Sequence, residues 1–171
     1  METRKFTTLS MLLSLAVVLN IIESVIPLFN GYIPGLKLGL ANTVILFVLY
    51  VYSFKDALYV SILRVILVGI LRTGLFSIAF FFSLGGAILS VTMMFIFKKI
   101  TKLSIVGISI VGSIFHSLGQ IIVGMFILET ANMIYYLPWL LMFSIPTGII
   151  VGLISKELVN HLQNDLKIKE Y

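Results

Sequence analysis

The sequence predicts an all-α integral membrane protein: six transmembrane helices in one bundle, with both termini cytoplasmic. Three observations carry that expectation. Of 171 residues, 60% are hydrophobic and 11% are charged, against about 25% charged in soluble domains, and mean hydropathy is +1.15. Apolar runs near the length of a membrane span, about 20 residues, recur along the whole chain. Lysine and arginine collect on alternate sides of those runs. The bundle occupies residues 1–158, and residues 159–171 form a short cytoplasmic tail, so the length leaves no room for a second folded domain.

The first helix is expected from about Phe6 to Ile26, stopping at Pro27. Its basic start, METRKF, is like that of a signal peptide, but no small-residue cleavage site follows, so a retained helix is expected. The second, about Leu38 to Tyr52, and the third, about Asp56 to Leu71, are short. Short helices are tolerated in a membrane when they are untilted or when one end is buried in protein. The fourth runs from about Leu75 to Phe97, the fifth from Ser104 to Leu128, and the sixth from Tyr135 to Leu158. The tail KELVNHLQNDLKIKEY reads as a polar helical extension.

Orientation follows from the basic residues. Arg4, Lys5, Lys55, Lys98, Lys99, Lys102, Lys156, Lys167 and Lys169 fall on the side of the N-terminus, nine against Lys37 and Arg72 on the other, with Arg64 mid-helix. That asymmetry places the N-terminal side in the cytoplasm of a multi-pass protein of the cell membrane. The same distribution argues against nucleic acid as a partner of the net charge of +5, because the cations mark topology and do not form a patch.

Several chemistries are excluded. With no cysteine there are neither disulfides nor thiolate metal sites, and His116 and His161 do not make a zinc site with the ligands present. A phosphate-cradling Walker loop is absent, so the chain does not hydrolyse ATP itself. The two aspartates, Asp56 and Asp165, lie far apart and give no acidic cluster to hold magnesium on a diphosphate. Serine nucleophile elbows are also missing. No cofactor and no enzymatic activity are expected.

Polar groups inside spans are expensive and each calls for a reason. Asn20 and Glu23 share a face in the outer half of the first helix. Lys37 and Asn42 bracket the start of the second, in PGLKLGLANTV; Arg64 is mid-way along the third, and Arg72 is at its outer end. On the fifth, Gly112, His116, Gln120 and Gly124 recur every four residues, and Ser109 and Ser113 extend that small, polar stripe. Taken singly, Lys37 and Arg72 also fit snorkelling at the interface, Arg64 fits an ion pair with Glu23, and His116 and Gln120 fit hydrogen bonding between helices. Together, in the middle and outer membrane, they describe a cavity that faces outward and is floored at mid-depth. Its cation excess hints toward an anion. The tyrosines and tryptophan of LETANMIYYLPW read first as an interfacial belt and second as a lid over the cavity.

In the first helix Ser10 and Ser14 make a small-xxx-small face, suited to close approach of another helix or to packing within the chain. SLGGAILS and PTGIIVG are small-rich in the same way and are expected to pack inside the bundle.

The segments PGLKLGLANTV, FKDALYVSILRVILVG, FFFSLGGAILS and VGISIVGSIFHSLGQ together resemble the Gx transporter family, also labelled heptaprenyl diphosphate synthase component I. The likeness extends from the first helix to about residue 158. GLKLGLAN and HSLGQ are its most specific parts; Ser117 stands where the family form more usually has asparagine. That family resembles the substrate-binding S components of energy-coupling factor transporters. The resemblance implies a six-helix bundle that binds a small molecule from outside; the polar groups singled out above, Asn20, Glu23, Lys37, Asn42, Arg64, Arg72, His116 and Gln120, are then the candidate ligand contacts. It further implies association with a coupling transmembrane subunit and two ATPases, where Ser10 and Ser14 replace the alanines usual on the contacting face. The synthase label implies instead a non-catalytic membrane partner of a prenyltransferase subunit in menaquinone side-chain synthesis.

Overall fold

The computed structural model describes residues 2–25 and 39–166. Six α-helices follow one another: α1 (Glu2–Val25), α2 (Leu40–Val51), α3 (Phe54–Val68), α4 (Ile78–Ile100), α5 (Ile105–Ile127) and α6 (Leu137–Leu166). A π-helical turn, Gly69–Thr73, prolongs α3, and a 3₁₀ helix, Ala131–Tyr136, leads into α6. No strand occurs among the described residues.

Local chemistry sets the helix starts. Ser53 caps α3 in a reciprocal box with Asp56, so the helix begins at Phe54, two residues earlier than expected. Ser77 and Ser104 cap α4 and α5 through the amides of Phe80 and Gly107. Where helix was expected from Tyr135, the chain makes the 3₁₀ turn first, and Pro138 then sits in the first turn of α6, the place a helix accepts proline. At its other end α6 continues unbroken past Leu158 to Leu166, because KELVNHLQNDL contains neither glycine nor proline to stop it.

Around the bundle α1 packs on α2 and α3, α3 on α4, α4 on α5, α5 on α6, and α6 on α2. The best-covered element is α2. Eight of its twelve residues are buried, among them Ile45, Leu46, Val48 and Leu49, as expected of a helix that is apolar on every side. Twelve residues reach only about 18 Å, well short of the roughly 30 Å hydrocarbon core of a membrane. Four other stretches, Thr3–Ser24, Ile78–Ile100, Ile105–Ile127 and Ala131–His161, are long and apolar enough to cross one.

The α2 C-terminus ends inside protein, where its last carbonyls need donors. Lys98 supplies one, donating from Nζ to the Leu49 carbonyl at 3.0 Å while lying over the Tyr50 ring. At the same end of the bundle Lys5 of α1 pairs with Asp56 of α3 at 2.8 Å. The opposite half, where α1 and α3 end and α2, α4 and α6 begin, holds the cavity.

Small residues bring α4, α5 and α6 together. A Cβ at Gly119 of α5 would stand 2.6 Å from the Gly85 carbonyl oxygen of α4, and one at Gly148 of α6 would stand 2.8 Å from the Ile110 Cα of α5. Both small-rich segments therefore pack inside the bundle.

Candidate functional site

Every helix contributes to one cavity of about 60 Å³, room for about four water molecules at roughly 15 Å³ each. From α1 come Asn20 and Glu23, three residues apart and thus on one face. The start of α2 gives Asn42, α3 gives Arg64, and α5 gives His116 and Gln120. Six of the eight ligand contacts expected from sequence thus line one space. Of the other two, Lys37 lies outside the described residues. Arg72 does not line the cavity: from the π turn it donates to the Ser24 carbonyl at 3.2 Å, tying the end of α3 to α1.

Arg64 is the centre of the arrangement. Its residue is 4% exposed, and Nη1 donates to Asn42 Oδ1 at 3.0 Å. The Glu23 carboxylate accepts the Gly39 backbone N–H and acts electrostatically on Arg64. Gly39 adopts φ +79, a left-handed conformation suited to glycine, and this places its amide at the turn into α2. His116 packs on Gly86, where a Cβ would approach its ring and backbone to 2.9 Å; the missing side chain makes room for the imidazole.

Two buried polar atoms of the wall, Arg64 Nε and Asn20 Oδ1, meet no hydrogen-bond partner among the described residues. Such groups are costly to leave unmet, on the order of 1–3 kcal/mol each. One is a donor and the other an acceptor, and both belong to residues that line the cavity.

Serine and threonine complete the wall. Ser83, Ser113, Ser117, Ser144 and Thr147 also line the cavity, and sequence reading assigned none of Ser83, Ser144 or Thr147 to it. Ser117 and Ser144 join α5 to α6 through a 2.6 Å hydroxyl contact. Among the described residues no group of three or more histidines or acids is gathered to hold a metal ion.

Ser10 and Ser14 stand apart from all this. Both are exposed, and each hydroxyl returns to its own helix, Ser10 to the Phe6 carbonyl and Ser14 to the Ser10 carbonyl, at 3.0 Å. Packing within the chain therefore leaves that face uncovered.

A family model described as heptaprenyl diphosphate synthase component I matches residues 12–158. No curated protein and no solved structure matches the chain.

Proposed function

This chain belongs to the heptaprenyl diphosphate synthase component I family, and we propose that it is the substrate-binding membrane subunit of an energy-coupling factor-type importer. The cavity is the site at which a small molecule is taken from outside the cell, with Arg64 receiving its anionic group and Asn20, Asn42, His116 and Gln120 completing its hydrogen bonds. The single observation that carries this reading is the buried Arg64 with its unmet Nε in a polar cavity. A purely structural arginine would be expected to have its donors met within the bundle. The nine-to-two bias of the basic residues supports cytoplasmic termini and so an outward cavity. The uncovered Ser10 and Ser14 face supports docking on a coupling transmembrane subunit, which two ATPases would drive.

The family description favours a second reading, a non-catalytic membrane component of heptaprenyl diphosphate synthase that partners a prenyltransferase subunit. The two readings part on what the chain holds on to. A mild-detergent pull-down from native membranes, read by mass spectrometry, should recover a coupling membrane protein and two ATPases, and Ser14→Leu should reduce that recovery. A prenyltransferase subunit in their place would overturn the importer and establish the second reading.

A further inference from the structure

We infer that the cavity takes a compact hydroxycarboxylate. Its carboxylate meets Arg64 and Asn42, and its hydroxyl gives a proton to the serine and threonine oxygens of α5 and α6. The inference rests on the cavity being a ligand site and names the class of ligand.

Where the wall's own protons go decides what it can recognise. On the α5–α6 side the hydroxyls of Ser117, Ser144 and Thr147 belong to the lining. Thr147 gives its proton back to its own helix, where the Phe143 and Ser144 carbonyls lie at 3.0 and 3.1 Å. Ser144 gives its proton to the Leu140 carbonyl, so the 2.6 Å contact with Ser117 uses the proton of Ser117. All three protons are committed, and such a hydroxyl has only lone pairs left to offer. This side accepts and does not donate.

The α2–α3 side is the reverse. Arg64 Nη1 occupies Asn42 Oδ1 at 3.0 Å, which leaves the Asn42 NH2 group as a donor. Arg64 Nε has no open surface, so the guanidinium acts on the cavity through its Nη atoms. Arg64 Nη2 and Asn42 Nδ2 have no hydrogen-bond partner among the described residues, and neither is closed off as Nε is. Two donors of this kind suit a carboxylate. Gln120 offers a donor and an acceptor together, so it serves either kind of ligand group and does not discriminate.

A ligand that fits both sides carries an oxyanion and, apart from it, a neutral O–H. A carbonyl in place of that hydroxyl would set lone pair against lone pair. An ammonium group would meet neutral oxygens there, since none of the described α5 and α6 residues in the lining is acidic. A buried charge without a charged partner is disfavoured. The free volume of about 60 Å³, bounded on its apolar side by Val65, Val68, Phe80 and Leu140, favours small acids over bulky ones.

The test is calorimetric titration of the purified full chain in mild detergent with six three-carbon acids. Lactate, 3-hydroxypropionate and glycerate carry the hydroxyl. Pyruvate, propionate and alanine carry a carbonyl, a hydrogen or an ammonium group in its place. At least one hydroxy acid should bind about tenfold or more tightly than pyruvate, propionate and alanine. Thr147→Val removes an acceptor at nearly equal volume, and Ser144→Ala frees the proton of Ser117. Either should cut the preference to about threefold or less, and each carries the test if the other fails to fold. Pyruvate, propionate or alanine binding as tightly as every hydroxy acid would overturn the inference. So would the failure of all six to bind, or a preference that both variants leave intact. The pull-down reads a different quantity. Recovered ATPases without a hydroxyl preference would sink the ligand class alone; the preference without ATPases would sink the importer and keep the class.

Discussion

A hydroxyl has one proton to give, and Ser144 gives its own to the Leu140 carbonyl at 2.6 Å. In the Ser117–Ser144 contact the donor is therefore Ser117. Both residues are buried, so the bond joins α5 to α6 at the cavity wall, and hydrogen bonds between membrane helices average about 0.6 kcal/mol and reach about 1.7. A double-mutant cycle of Ser117→Ala and Ser144→Ala, followed by unfolding in detergent, should give a coupling energy in that range. A coupling of zero would mean that the two hydroxyls are only neighbours. The same residues mark how much of the candidate site could be read from sequence. Asn20, Glu23, Asn42, Arg64, His116 and Gln120 stand out in apolar runs because burying such groups is expensive, and the structure brings those six together. Ser83, Ser144 and Thr147 carry no such mark. A hydroxyl in a helix can bond back to a carbonyl one turn earlier, as Ser144 and Thr147 do, so it occurs at little cost on any face. Arg72 is hard to place from sequence for a related reason: a long basic side chain at a helix end reaches several partners, of which the structure shows the Ser24 carbonyl.

Among the elements, α5 is confined on both sides, by α4 through Gly85 and Gly119 and by α6 through Gly148. Backbone against backbone has nothing soft to give. Gly119→Ala must push α4 and α5 apart, and overpacking of this kind typically costs about 1–3 kcal/mol. Gly107→Ala is its control, because the atoms nearest a Cβ there belong to the Leu103 side chain, at 3.3 Å and beyond. Thermal unfolding should show a clear loss for the first and a small change or a gain for the second; equal losses would show that helix spacing is not the cause. The elements themselves were largely legible, since apolar runs and their polar interruptions locate six helices. The details that escaped are matters of local hydrogen bonding. The capping box that starts α3 at Phe54, the π turn that prolongs it, and the 3₁₀ turn before α6 leave the hydropathy pattern unchanged. The shortness of α2 was visible, and its explanation is tertiary: α1, α3 and α6 surround it, and Lys98 meets the Leu49 carbonyl in its last turn.

For the whole molecule, the absence of cysteine makes orientation directly measurable. A single cysteine at Glu129, between α5 and α6, should react with a membrane-impermeant maleimide in intact cells. One at Leu103, between α4 and α5, should react only after permeabilisation. Both positions are exposed. The reverse pattern would turn the cavity toward the cytoplasm and remove the basis for uptake. Orientation matters because of how α1 is built. Ser14 and Glu23 are nine residues apart, about two and a half helical turns, so they point in opposite directions from one axis. The cavity-facing carboxylate and the bare outer seam are thus the two edges of a single rod. Whatever leans on one edge turns the other by the same angle, with no relay of side chains between them. On the proposed reading, a partner that tilts the rod would loosen a molecule held in the cavity, and by reciprocity that molecule would resist the partner's grip to the same extent.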